Sequence, residues 1–145
     1  MNIKTQAQIL REVFQFGFGI IFLISLFYFT YNYLIPRVED YSLIYQAKNL
    51  AEHANYLISK LYEPTRQALN YSVENEYEMP EKIWEYEYLI FMQESEVCCA
   101  IVDSKIEECA PLLVDSNNQG IFFSGGKLRI TIIFNQSYSM VTLSN

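Results

Sequence analysis

The sequence lacks the residue patterns on which enzymes depend. Its one histidine, His53, has no cysteine or second histidine at ligand spacing, so a zinc site is not expected. Gly120 and Gly125 have the spacing of a phosphate loop, but Gly126 stands where the lysine should be. Because no nucleophile–base pair or metal cluster is evident, we expect no catalytic residue, no metal, no cofactor and no small-molecule substrate.

Charge is missing from the segment between Val13 and Ile35. As a helix rising about 1.5 Å per residue, its 23 residues would span about 34 Å, enough for a hydrocarbon core of about 30 Å. Its apolar centre favours insertion by roughly 3 kcal/mol in total. The tyrosines Tyr28, Tyr31 and Tyr33 lie at the far end, where an interfacial aromatic belt is expected. This pattern predicts a transmembrane helix over 13–35.

A small-residue cleavage site is also missing after the apolar run, which ends in Tyr-Leu-Ile-Pro-Arg. The run is longer than the apolar region of a removable secretory signal, about 7–15 residues, so we expect it to stay attached. Lys4 and Arg11 precede it, whereas Arg37 is followed at once by Glu39 and Asp40. The positive-inside rule therefore gives a slight preference for residues 1–12 as a short cytoplasmic segment or leader, with the C-terminal domain outside the cell membrane.

Basic residues are too few to balance the acidic ones beyond the apolar run. Residues 37–145 carry eight Lys/Arg and sixteen Asp/Glu, a net charge of −8. Phosphate backbones would repel such a domain, so nucleic acid is not an expected partner.

Helical periodicity follows the apolar run, and it predicts an amphipathic stalk helix over 36–63. Pro36 is expected to kink the helical path without severing it, and Pro64 to end it. His53 is expected at the surface. The apolar stripe of this helix could cover a sheet, which we favour, or pack against copies of the same chain. Its members are Val38, Tyr41, Ile44, Ala47, Leu50, Ala51, Ala54, Leu57, Ile58 and Leu61.

Two-residue periodicity predicts an exterior antiparallel β domain over 68–145, on which the long helix packs. In "WEYEYLIFM" the period places one face of a strand in the apolar core, with the members Trp84, Tyr86, Tyr88, Ile90 and Met92. In "KLRITIIFNQSYSMVTL" a turn at Asn135–Ser137 would pair Phe134 with Tyr138 and Ile132 with Met140. Three alternating glutamates, Glu74, Glu76 and Glu78, are expected to form a solvated strand face, because no calcium loop accompanies them.

Only three cysteines occur, and none has C-x-x-C spacing. A hairpin that reverses at Asp103-Ser104 would bring Cys98 opposite Cys109. A hairpin that reverses over Asp103–Lys105 would bring Cys99 opposite Cys109. We favour the pair Cys99–Cys109, because its register gives the better apolar match nearby, and one disulfide fits an exported domain. The alternative is three buried thiols.

Two acceptor triplets for N-glycosylation begin at Asn70 and Asn135. Chance would supply about one such triplet in a chain of this composition, so they give only slight support to an exterior location.

The order of these features resembles a type IV pilin, and in particular the archaeal pilin-like proteins. The resemblance is carried by "IKTQAQILREVF", which supplies Lys4 and Gln6 before the apolar helix, by "MPEKI…YEYLI", and by "GIFFSGGKLRITI" with a closing "VTL". It implies leader processing near Thr5 and Gln6, although Thr5 stands where glycine or alanine is usual. It also implies that the apolar helix lies in the membrane before assembly and forms the filament core afterwards.

The resulting expectation is a non-enzymatic, single-pass pilin-like subunit at the cell membrane or in a surface filament. Its expected partners are membrane lipid and itself or other pilin-like subunits. Nine aromatic residues lie between Phe14 and Tyr33. We expect a helix-packing surface at Gly17 and Gly19, into which Phe18 or Phe22 of a neighbour fits. The alternative is a single-pass membrane protein whose exterior β domain binds a ligand or protein partner.

Overall fold

The computed structural model describes residues 3–65, 71–112, 114, 116–135 and 138–145. A helical N-terminal part is followed by a seven-stranded sheet, so the predicted α+β class is confirmed. The chain divides into two units, Met1–Tyr41 and Ser42–Asn145.

Helix continues through the proline that follows the apolar run. Helix α1 (Ile3–Phe29) leads into a π-helical segment (Thr30–Leu34), and helix α2 (Ile35–Thr65) begins directly after it. The Ile35 N–H donates to the Thr30 carbonyl, one residue further back than in an α-helix. Such a wider turn accommodates a residue like Pro36, which lacks an N–H and crowds the preceding turn. As predicted, the helix continues through Pro36 and does not end there.

In the second unit, helix α2 contributes one buried stripe to the core. The stripe is rich in alanine, which lets the helix backbone approach its neighbours closely. Leu43 belongs to the stripe and was missed by the sequence analysis, whereas Val38 and Tyr41, both in the first unit, are exposed. His53 is exposed, as predicted. The buried members are Leu43, Ala47, Ala51, Ala54, Leu57, Ile58 and Leu61.

The second unit also contains all seven strands. They lie in the order β1-β6-β7-β5-β2-β3-β4. Their bounds are β1 (Tyr71–Glu78), β2 (Tyr88–Gln93), β3 (Glu96–Ile101), β4 (Glu107–Pro111), β5 (Asn117–Phe123), β6 (Lys127–Asn135) and β7 (Tyr138–Ser144).

One strand pair contradicts the predicted antiparallel sheet, because β5 and β7 are parallel. Strand β7 lies between β6 and β5, which are themselves joined by the short turn Ser124–Gly126. Where the pair begins to diverge, Gly120 lies opposite Leu143 with φ 119°. A Cβ at Gly120 would clash with the Leu143 backbone, so this close approach requires glycine.

The β6–β7 hairpin has a different register from the predicted one. Phe134 pairs with Ser139 and Ile132 with Val141, so the predicted partners Tyr138 and Met140 are wrong by one residue. The structure pairs Asn135 directly with Tyr138, which shortens the connection; Gln136 and Ser137 lie outside the described residues. A one-residue slip moves every side chain to the other face, and the observed register puts Val141 in the core with Ile132.

The stretch "WEYEYLIFM" is a strand only in its second half. Tyr88, Ile90 and Met92 are buried in β2, as predicted. Trp84 and Tyr86 are exposed instead, because the chain reverses between Ile83 and Tyr86, whose backbones exchange two hydrogen bonds of 3.0 Å. Trp84 has φ 58°, which belongs to a tight turn and not to a strand.

Core residues from the sheet lie in the same apolar cluster as the α2 stripe. The ring of Tyr62 in α2 lies 4.8 Å from the ring of Phe134 in β6, centroid to centroid. The Asn55 side-chain amide donates to the Pro111 carbonyl over 3.0 Å, which ties α2 to the end of β4. The strand members with almost no exposed surface are Tyr88, Ile90, Val97, Cys98, Cys99, Ile101, Phe122, Leu128, Ile130, Ile132, Val141 and Leu143.

Truncation of Ile58 tests this arrangement. Ile58 has no exposed surface, so Ile58→Ala should lower the free energy of unfolding by about 2–5 kcal/mol, through lost burial and a residual cavity. Tyr56→Ala, two residues away on the exposed side of α2, should change it by less than about 0.5 kcal/mol. Urea unfolding followed by circular dichroism gives both values. Equal losses would show that the buried stripe is assigned to the wrong side of α2.

Candidate membrane-spanning and assembly surface

Among the described residues, one helical stretch, Leu10–Glu63, is long and apolar enough to cross a membrane, and its most apolar window has no buried residue. This stretch contains the uncharged segment 13–35. Phe18 is 70% exposed and Phe22 is 67% exposed. A helix that is apolar on most sides and exposed along its length among the described residues is compatible with a lipid or protein environment and poorly suited to water.

Three polar side chains inside this segment donate hydrogen bonds to carbonyls of their own helix. The Ser25 hydroxyl donates to the Ile21 carbonyl over 2.9 Å, and the Thr30 hydroxyl to the Leu26 carbonyl over 2.8 Å. The Asn32 amide donates to the Tyr28 carbonyl over 3.0 Å. Each bond reaches back four residues, to a carbonyl of the same helix. In a hydrocarbon medium, where water cannot serve as a partner, such bonds reduce the cost of carrying polar groups.

The C-terminal end of the segment carries stacked aromatic rings and a cation. The rings of Phe29 and Tyr33 are stacked with centroids 5.2 Å apart. The Arg37 guanidinium carbon lies 4.5 Å from the centre of the Tyr33 ring, in cation–π contact. Aromatic rings with a polar edge and a flexible basic side chain are typical of the level at which a helix leaves the hydrocarbon core.

The predicted helix-packing residues lie along the exposed surface of α1. A Cβ built at Gly17 or at Gly19 meets no atom within 4 Å. The space beside both glycines is therefore open as far as this chain is concerned. Phe18 and Phe22 project from the same helix. No other described part of this chain fills the space beside Gly17 or Gly19, so a packing role would need a second helix.

The other predicted N-terminal and glycan sites lie partly outside the described residues. Thr5 and Gln6 lie in the first turns of α1, and their side chains are outside the described residues. Asn70 is also outside the described residues. Asn135 ends β6 and is exposed, but Gln136 and Ser137 of its triplet lie outside the described residues.

The disulfide joins Cys98 to Cys109, so the predicted pair Cys99–Cys109 is wrong. The β3–β4 ladder places Cys98 directly opposite Cys109 and Cys99 opposite Glu108. This register follows from a reversal centred on Asp103 and Ser104. Asp103 has φ 61°, and the Ser104 hydroxyl donates to the Ile101 carbonyl over 3.1 Å. These local turn contacts, and not the apolar match beyond them, determine which cysteine pairs.

Cys99 is a buried free thiol on the core face of β3. Burial raises its pKa to about 12, so almost none of it is the reactive thiolate at neutral pH. Burial also raises the pKa of nearby Tyr88 to about 12, with a smaller contribution from Cys99. The Tyr88 hydroxyl donates to the Pro80 carbonyl over 2.6 Å. Both groups behave as neutral structural residues.

Glu96 lies close to the Cys98 and Cys109 sulfurs, the one group among the described residues with the spacing of a metal site. The two sulfurs are bonded to each other. A disulfide lacks the thiolate that binds metals, so this group is not a metal site in the oxidised protein.

The alternating glutamates of β1 lie on an exposed face, as predicted. Glu74 and Glu76 approach Arg129 on β6, with carboxylate oxygens 3.1 and 2.7 Å from its guanidinium nitrogens. The hydrogen bond from Arg129 holds the pKa of Glu76 below its usual value. Because these groups are exposed, solvent screens the pairs and they add little stability.

An exposed apolar area of the sheet was missed by the sequence analysis. Leu89 pairs with Phe123 and Phe91 with Ile121, on the face of the sheet that points away from the core. We call these four residues the outer apolar patch. The available signal was that "YLIFM" and "GIFF" are apolar at every position, whereas a strand with one solvated face alternates.

In comparisons with models of protein families, with curated proteins and with solved structures, nothing matches this chain.

The cysteine pairing can be tested by digestion without reduction. Trypsin cuts after Lys105 and so separates Cys98 and Cys99 from Cys109. Peptides 83–105 and 106–127 should be linked in the natural protein and in Cys99→Ala, and separate in Cys98→Ala, as read by mass spectrometry. Alkylation should label no thiol in the folded protein, one in denaturant, and three after reduction. A link that survives in Cys98→Ala and is lost in Cys99→Ala would restore the original prediction.

Proposed function

We propose that this protein is a non-enzymatic, membrane-anchored pilin-like subunit that assembles through its N-terminal helix into, or onto, a type IV pilus-like filament. The observation that carries the proposal is the uncharged helical segment 13–35, whose large apolar side chains are exposed among the described residues. Helix continues from this segment into α2, whose buried stripe belongs to the core of the folded α+β unit. Pilin-like proteins have this order of parts.

Insertion into the membrane is the first step that the segment supports. Apolar residues at the centre of a spanning helix favour insertion by a few tenths of a kcal/mol each, roughly 3 kcal/mol in total here. No charge within the segment opposes this. The local hydrogen bonds of Ser25, Thr30 and Asn32 lower the cost of the polar side chains that it carries. The same helix can therefore reside in lipid before assembly.

Assembly is the second step, and it depends on shape. Between helices in lipid the hydrophobic effect supplies no drive, so close packing and small residues determine association. Gly17 and Gly19 each leave an opening on the helix surface, and because residues two apart lie about 200° around an α-helix, the two openings face nearly opposite sides. Large rings such as Phe18 and Phe22 project from the same helix, and we propose that rings of one subunit enter these openings on its neighbours. A filament core made of such helices would place this aromatic surface between subunits.

The proposed location places the folded C-terminal unit outside the cell membrane. The Cys98–Cys109 disulfide is consistent with that location, because disulfides persist in oxidising compartments and are rare in the cytosol. The basic residues Lys4 and Arg11 before the segment favour a cytoplasmic N-terminus.

A second candidate function is a single-pass membrane protein whose exterior β domain binds a protein partner. The outer apolar patch favours this candidate, since it exposes aromatic and aliphatic side chains at the centre of a sheet face. The two candidates share the anchor and differ in whether the helix itself associates.

Membrane attachment is tested by fractionation. The full-length protein should sediment with membranes and stay there in high salt or carbonate, because its attachment is through the hydrocarbon core. Detergent should release it. Recovery of the full-length chain in the supernatant without detergent would contradict the anchor, and with it both candidate functions.

Assembly is tested by filling the opening. Gly17→Leu with Gly19→Leu should reduce crosslinked oligomers in membranes by at least about fivefold, because the added side chains occupy the space meant for a neighbouring helix. A Cβ at either position meets no other described side chain within 4 Å, so we expect folding and insertion to be preserved. The matched control is Ile20→Leu with Ile24→Leu, which keeps the size and apolarity of the same segment.

The control should leave crosslinking within about twofold of the natural protein, with equal amounts of each variant in the membrane fraction. If the natural sequence is only monomeric in membranes, when expressed with the proteins of its own cell, then the helix is an anchor alone. The second candidate function would then take precedence.

A further inference from the structure

The outer apolar patch is contiguous and central. Its members come from the adjacent strands β2 and β5, in the middle of the seven-stranded order. Ile121 is 51% exposed and Phe123 is 55% exposed, whereas Leu89 and Phe91 are half-buried beside them. On the next strand Ala100, which pairs with Leu89, is half-buried, whereas Cys98, which pairs with Phe91, has no exposed surface. Contiguous exposed apolar areas of this kind mark binding surfaces more often than scattered single residues do.

The patch is held rigidly for a surface feature. The Asn145 side chain donates to the Phe123 carbonyl over 2.9 Å and accepts from the Phe123 N–H over 2.8 Å. This pair of bonds takes the place of a further strand residue beside Phe123. The other patch residues lie within paired strands. A surface ordered in advance loses little conformational entropy on binding, which favours affinity.

Charge on the same face of the sheet limits what can cover the patch. The strand residues of this face include five glutamates and two basic residues, a net charge of −3, and Arg129 is already paired with Glu74 and Glu76. Glu96 and Glu107 lie on β3 and β4, on one side of the patch, where the described residues show them no ion pair. The unit as a whole is strongly acidic, since residues 42–145 carry seven Lys/Arg and fourteen Asp/Glu.

The negative charge of this face favours one kind of binding partner for the patch over the others. A second copy of the face would bring like charges together around an apolar centre, which costs binding energy. Anionic lipid and nucleic acid are disfavoured for the same reason. A protein surface with an apolar centre and lysine or arginine around it would gain from both the patch and the carboxylates.

We propose that the outer apolar patch docks a partner protein whose contact surface has an apolar centre and a cationic rim. This proposal deepens the second candidate function and does not require association through the N-terminal helix. Phe123 and Ile121 supply the apolar anchor, and Glu96 and Glu107 supply the charge that orients the partner.

The test is photocrosslinking in intact cells that naturally make the protein, using the full chain. A benzoylphenylalanine replaces Phe123 in one variant and Tyr56 in the other. Tyr56 is also an exposed aromatic residue, 59% exposed, but it lies on α2 and not on the sheet face. From position 123 we expect a product with a second protein, whose crosslinked peptide has a net positive charge. From position 56 we expect none of this product.

Two further variants separate the apolar and the charged contributions. With the probe at position 123, Ile121→Ser should reduce the product at least about tenfold, since it removes an anchor from the centre of the contact. Glu96→Lys with Glu107→Lys should reduce it at least about fivefold, whereas Glu63→Lys on α2 should change it less than twofold. Circular dichroism should show unchanged unfolding temperatures within a few degrees.

The proposal is overturned if the product from position 123 is a second copy of this chain or lipid alone. It is also overturned if the folded protein gives no product, or if the double charge reversal leaves the product unchanged. Crosslinks between N-terminal helices report separately on assembly. Failure at the patch is therefore distinguishable from failure of the proposed anchor or filament.

Discussion

An uncharged helical surface that its own chain does not cover is the constraint on which the rest depends. Between Val13 and Ile35 the segment has no charge, and its large side chains are exposed in the single chain. In water this would leave many apolar side chains hydrated, each at a cost of about 1.5–3 kcal/mol relative to burial. Other features of the segment fit an apolar environment. Ser25, Thr30 and Asn32 donate hydrogen bonds to carbonyls of the same helix. The next charged residue after the segment is Arg37, beside the stacked rings.

The predictable parts of the structure are those that depend on local periodicity. The three- and four-residue steps in "YQAKNLAEHANYLISKL" identify helix α2 and most of its buried stripe. Two-residue alternation identifies β6, where Leu128, Ile130 and Ile132 are buried. These patterns record which side of an element faces the core. The exposed Val38 and Tyr41 show the limit of the method. The apolar spacing starts before the first buried residue of the stripe, so the spacing alone does not show where burial begins.

Pairing between strands could not be predicted in the same way. Alternation indicates that a strand has two faces, but it does not indicate which strand lies beside it. The one feature of the sequence that reflects the parallel pair β5–β7 is therefore Gly120. Turns determine register, and a difference of one residue in the turn decided between Cys98 and Cys99. In the β6–β7 hairpin the observed register also differs by one residue from the predicted one, and Val141 therefore lies in the core. The outer apolar patch was missed because a strand that is apolar on both faces reads as a fully buried one.

The acidity of the second unit is compatible with association through the apolar helix. Repulsion between acidic surfaces acts in solvent, whereas contacts between the helices are made in lipid and at shorter distances. At physiological ionic strength, exposed charges farther apart than about 8 Å are largely screened, so acidic surfaces in solvent repel one another strongly only on close approach. Contacts between helices in lipid are made by shape and do not involve these charges. Acidity therefore excludes direct contact between like sheet faces while leaving helix packing unaffected.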